Sequence, residues 1–189
     1  STRTPTLFPY TTLFRSMYVG LNWQLAKKWT LNTYFDYFKF PWMRFSVNAP
    51  SNGIEYLIQP SYRPNKQLEI YGRVRHQQKQ GNIGTDNGGV KGLVDINQTN
   101  YRLALSYKVT ESITLKSRID YVTYKKGDED TETGIAIAQD IVYKPKKFPV
   151  DVTLRYALFD TKSYNSRIYA FEQNALYVFS VPAYYNQGH

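Results

Sequence analysis

Cysteine is absent from the chain, and histidine is limited to His76 and His189. The first absence excludes disulfides and cysteine-ligated metals, and it fits any compartment, an outer membrane included. The second leaves little for catalysis. A hydrolytic site needs a histidine with a Ser or Asp partner on the same wall, and the parity of its segment puts His76 on the side of Val74, as a rim residue. No enzyme is expected. Long apolar runs are also missing: mean hydropathy is −0.53, and no window approaches the ~20 consecutive apolar residues of a membrane helix. That excludes helical spans alone, because a transmembrane barrel carries lipid-facing residues at every second position and averaging hides them. Phosphate-binding loops are absent as well: "QGNIGTDNGGVKG" (80–92) holds neither GxGxxG nor GxxxxGK. The acidic "GDEDTET" (127–133) has carboxylates at alternate positions but not the glycine and terminal glutamate spacing of a calcium loop, and it reads as solvated. No cofactor or metal is expected.

The first sixteen residues, "STRTPTLFPYTTLFRS", differ in character from the rest. Thr6 to Ser16 resemble, codon for codon, the first-frame translation of a common sequencing adapter, and Ser1 to Pro5 fit the indexed bases that precede it. Pro5, Pro9 and Arg15 break any apolar core that a secretory leader requires. Residues 1–16 are therefore expected to be a non-native leader, and 17–189 a fragment truncated at both ends. Without Arg3 and Arg15, 22 basic residues face 15 acidic ones, leaving a net charge of +7 in place of +9.

What is abundant is aromatic: 18 Tyr, 10 Phe and 3 Trp. They sit in segments that alternate with period two, as strands with one apolar and one polar face do. In "YRLALSYKV" Tyr101, Leu103, Leu105, Tyr107 and Val109 oppose Arg102, Ala104, Ser106 and Lys108. In "VDVTLRYAL" Val150, Val152, Leu154, Tyr156 and Leu158 oppose Asp151, Thr153, Arg155 and Ala157. The pattern predicts an all-β, antiparallel up-and-down meander of about nine strands: 17–25, 29–40, 53–63, 67–78, 99–109, 113–125, 134–144, 149–160 and 173–181. Several are ten to twelve residues long, about twice the usual soluble strand. At ~3.3 Å per residue and a tilt near 40° such a strand rises about 25 Å, the apolar band of an outer-membrane barrel.

Two kinds of connection alternate. "AKK", "PNK", "TES" and "KPKKF" are tight, while "PWMRFSVNAPSN", "KQGNIGTDNGGVKGLVDINQ", "KGDEDTET" and "TKSYNSRIYAFEQ" are long and polar. Short turns at one end and long loops at the other characterise outer-membrane barrels. Near the tight turns stand Trp23, Trp29, Tyr62, Tyr107, Tyr143 and Phe148, placed for an interfacial girdle. The polar face carries Arg63, Arg73, Arg75, Arg102, Lys108, Lys116, Arg118 and Arg155, with Glu55, Glu69, Asp120 and Asp151 among them. It is either a lumen lining that favours anions or a wall cross-linked by ion pairs between neighbouring strands. The aromatics lie mostly on the opposite face from the arginines, which argues against stacking of nucleic-acid bases beside phosphate contacts.

At "LRYALFDTKSYNSRIYAFEQNALYVFSVPAYYNQG" (154–188) the chain resembles the end of the barrel region in helix-hairpin-helix domain-containing proteins of Bacteroidota, with its run "RYALFDTxSYxSRIYAYExDVLYxFSIPAY". The resemblance covers this stretch closely and the remainder in general style. It implies a periplasmic helix-hairpin-helix part ahead of a large outer-membrane barrel, with closing strands beyond His189; it supplies no functional residues. The helix-hairpin-helix segment is not in this sequence, so no direct nucleic-acid contact is expected of it. The expected function is that of a porin-like conduit, or a membrane anchor for a periplasmic domain or partner, embedded in the lipid bilayer of a bacterial outer membrane. The alternative is a soluble all-β carbohydrate-binding module.

Overall fold

The computed structural model describes residues 15–43, 47–83, 92–146, 149–170 and 181–188. Eight long strands follow one another: β1 (Arg15–Ala26), β2 (Trp29–Phe40), β3 (Ser51–Tyr62), β4 (Leu68–Asn82), β5 (Leu93–Lys108), β6 (Ile113–Lys126), β7 (Glu132–Tyr143) and β8 (Val152–Thr161). Each is hydrogen-bonded antiparallel to the next, and the short strand β11 (Gln187–Gly188) adds a ninth member beside β8. A 3-10 turn (Tyr164–Ser166) and a two-stranded ribbon of β9 (Ile168–Tyr169) with β10 (Ala183–Tyr184) complete the described residues. The chain is all-β, an antiparallel up-and-down meander, as the alternation predicts.

Two of the tight turns close on their own side chains. Lys27 and Lys28 alone join β1 to β2. Between β3 and β4 the Asn65 carboxamide oxygen accepts from the amides of Gln67 (2.9 Å) and Leu68 (2.8 Å). Between β5 and β6 the Thr110 hydroxyl does the same for Ser112 (3.3 Å) and Ile113 (3.0 Å). Such local acceptors hold a turn without help from the rest of the fold.

Most boundaries fall within two residues of expectation, and three departures are larger. The β4–β5 hairpin runs on through Lys79–Asn82 and Leu93–Gln98, residues assigned to a loop, because the ladder continues in register from Lys79↔Ile96 to Asn82↔Leu93. β8 starts at Val152 rather than 149: Pro149 has no amide hydrogen to give to a ladder. The expected strand 173–181 lies outside the described residues except at Val181, which is not in a strand; the place beside β8 belongs to β11. Of the sixteen-residue leader, Arg15 and Ser16 pair with Lys39 and Phe38 in β1, and residues 1–14 lie outside the described residues.

Register assigns every strand residue to one of two faces. One carries Asp36, Glu55, Arg73, Arg102, Asp120, Asp140 and Arg155; the other carries Leu21, Phe35, Ile58, Val74, Leu103, Ile119, Ile137 and Leu154. The buried positions of the nine-stranded sheet, among them Ser51, Ser61, Asp120, Val122, Ala136, Ala138, Val142 and Thr161, all fall on the polar face. The large apolar side chains are exposed on the other, with Leu154 at 64% and Trp23 at 55%. The sheet thus shelters its polar side and presents its apolar side, the reverse of a soluble domain.

At the long-loop end the chain after β8 turns over the sheltered face. Its 3-10 turn is capped by Ser163, whose hydroxyl accepts from the Asn165 amide at 3.0 Å. Ser166 and Ala170 are fully buried, and Ile168 forms a small core with Val122 and Ala136, flanked by Phe159 and Tyr184, whose rings stack at 4.7 Å. Gly134 makes this possible: a Cβ there would lie 2.5 Å from the Ser166 carbonyl oxygen. Gly53 plays the same part under an aromatic, since a Cβ there would meet the Phe38 ring at 2.5 Å.

Candidate functional site: the two faces of the sheet

All seven basic residues assigned to one face from sequence parity (Arg63, Arg73, Arg75, Arg102, Lys116, Arg118 and Arg155) share the polar face, as does Lys108. Most are tied to acids on neighbouring strands. Arg75 grips Glu55 with Nε at 2.9 Å and Nη2 at 2.8 Å, and Glu55 also accepts from the Tyr34 hydroxyl and from Gln77 (2.6 Å). Arg155 grips Asp140 in the same bidentate way, at 2.6 and 2.7 Å. Arg63 reaches Glu69 at 2.6 Å. Asp120 is shared: Arg102 bonds one oxygen, and Arg118 Nε lies 2.8 Å from the other, at ion-pair distance but without hydrogen-bond alignment. Among the described residues Arg73 and Lys116 have no carboxylate partner. Arg73 faces Arg102 across the ladder, and Lys116 faces an Asp140 already occupied by Arg155.

Of the acids expected on this face, Asp151 pairs at the turn end with Lys144 (2.7 Å), both exposed. Asp140, which parity alone did not bring forward, is the one that engages Arg155; its role depends on the β7–β8 register. The polar wall carries an open hollow of about 510 Å³, with Arg102, Lys116, Arg118 and Arg155 around a floor of Ala104, Ser106 and Ala138.

The outward face is organised in tiers. Trp23, Trp29, Tyr62, Tyr107 and Tyr143 all lie on it at the tight-turn end, with the Trp29 and Tyr62 rings 4.6 Å apart; Phe148 lies outside the described residues. A second aromatic tier, not foreseen from sequence, stands toward the long loops: Tyr37, Tyr56 stacked on His76 (5.1 Å), and Tyr101 beside Tyr121 (6.1 Å). Beyond it the same face becomes polar, with Gln78, Gln80 and Asn82 on β4, Asp95, Asn97 and Thr99 on β5, and Thr123 and Lys125 on β6. The signal was available at alternate positions, but only register shows that the change falls at one level on successive strands. From the tight-turn tier to this level run nine residues on most strands, for example Trp29–Tyr37, Ile54–Tyr62 and Ile113–Tyr121. A tilted strand crosses a bilayer core in about 9–11 residues.

His76 belongs to this outward face, where its Nδ1 lies 2.8 Å from the Thr99 hydroxyl. Its described partners, Thr99 and Tyr56, include neither a carboxylate nor a serine. Among the described residues no three His, Asp or Glu side chains gather as a metal site, and no helix is long and apolar enough to cross a membrane. Compared with protein-family models, with curated proteins and with solved structures, the chain matches none.

Proposed function

We propose that the sheet is one arc of a transmembrane β-barrel in a bacterial outer membrane, its apolar face against lipid and its polar face toward a water-filled interior. In this role the chain is a non-enzymatic conduit wall, or an anchor for a periplasmic part. The carrying observation is the exposed apolar band with an aromatic tier at each margin. In water such a band is unfavourable at roughly 25 cal/mol per Å², and exposed apolar patches of this extent mark membrane or partner surfaces. A bilayer removes that cost, with amphipathic rings at its two interfaces. The alternation of tight turns and long loops supports the same orientation. Among the described residues the outer edge of β1 has no strand partner, and that of β8 is paired only at Phe159 and Asp160. Lipid does not tolerate unpaired backbone, so closure requires further strands beside both edges.

A soluble carbohydrate-binding sandwich would need a second layer over the apolar face. Leu21, Leu103, Ile137 and Leu154 have no such cover among the described residues. Folding with and without detergent separates the two readings. The barrel reading expects β circular dichroism and a monodisperse particle only in micelles or vesicles; a folded monomer in plain buffer overturns it.

A further inference from the structure

We propose that the hollow on the polar face is a binding site for small oxyanions, solutes bearing a carboxylate or phosphate, with Lys116 as the primary contact. It rests on reading that face as a water-filled interior, and names what the interior holds. The hollow, about 510 Å³, falls within the ~300–1,000 Å³ of small-molecule sites. Its charges do not balance. Asp140 has both oxygens committed to Arg155. Asp120 serves both Arg102 and Arg118. Glu69, on the rim, is held by Arg63. Counting Arg63 with Glu69, five cations at the hollow therefore share three carboxylates, and Lys116 is left with none among the described residues. The three guanidiniums are largely withdrawn from water, their side chains 17–20% exposed, so the excess field is less screened than at an open surface.

Shape agrees with charge. Ala104, Ser106 and Ala138 leave the floor low, and Tyr71 stands at one side as an apolar wall with a hydroxyl. Toward the long loops Ala136 and Val122 continue the same face and pack with Ile168. A solute entering from that end would meet the inward-folded segment first and the basic group next. The mobile Lys116 ammonium suits a point contact with an oxyanion.

The test titrates the full chain, folded in detergent micelles, with inorganic phosphate and with glucuronate, using glucose as the neutral control and amide chemical shifts as the readout. The expected result is saturable binding of at least one anion and none of glucose, weakening as salt rises. Lys116→Gln should weaken it by about tenfold or more, while Lys27→Gln, a charge-matched change in the β1–β2 turn, should leave it unaltered. Preference between the two anions tells a tetrahedral from a planar oxyanion. Binding of neither anion, equal response to glucose, or undiminished binding by Lys116→Gln overturns the proposal. If the chain folds and binds phosphate without detergent, the site stands and the membrane reading falls.

Discussion

At Asp120 a single carboxylate, its side chain 6% exposed, stands between two guanidiniums. Removing its charge leaves Arg102 and Arg118 facing each other with Arg73 beside them, so Asp120→Asn should cost toward the lower end of the ~3–5 kcal/mol typical of a broken sheltered pair. Glu111, whose ion pair with Lys146 leaves both side chains at least 70% exposed, should lose no more than about 1 kcal/mol on change to Gln. Urea unfolding of the two variants in micelles checks the contrast. Glycines offer a second one. Gly134→Ala drives a methyl into the Ser166 carbonyl and should lift the inward-folded segment at a cost of about 1–3 kcal/mol, speeding tryptic cleavage after Arg167 about tenfold or more. Gly72→Ala, with open space around the new carbon, should be neutral or stabilise by about 0.5–1 kcal/mol. Equal cleavage rates in the two variants would contradict the packing described.

Along a single strand the lipid reading makes a depth prediction. Leu103, midway between the tiers on β5, should lose about 2–4 kcal/mol on change to Arg, and Tyr107, at the tight-turn tier, only about 0–1. Unfolding in lipid vesicles reads both; equal penalties would remove the depth assignment. The strands themselves were legible in sequence because β1 to β8 alternate over the stretch where one face is apolar and the other polar. Where the two faces exchange character, as in Lys79–Asn82 paired with Leu93–Ile96, with Val94 and Ile96 on the sheltered face and Gln80, Asn82 and Asp95 on the outward one, the alternation loses its phase and strand reads as loop. The seven basic residues were found because parity needs only local counting. Their pairing was not, since Arg155–Asp140 and Arg102–Asp120–Arg118 follow from register. The inward-folded segment was hidden for the same reason: Ile168 gains meaning only against Val122 and Ala136, dozens of residues earlier.

For the molecule as a whole, what must hold is that the two faces meet different solvents. The absence of cysteine allows a single cysteine, and a nitroxide on it, to be placed at each position in turn without background. The most direct measurement scans β5 from Tyr101 to Lys108 in lipid vesicles and compares collision with oxygen, which concentrates in the bilayer, with collision with a water-soluble nickel chelate. Labels at Tyr101, Leu103, Leu105 and Tyr107 should favour oxygen, and those at Arg102, Ala104, Ser106 and Lys108 the chelate, in strict alternation. Chelate access on both faces, or no period of two, would contradict a lipid-facing apolar wall.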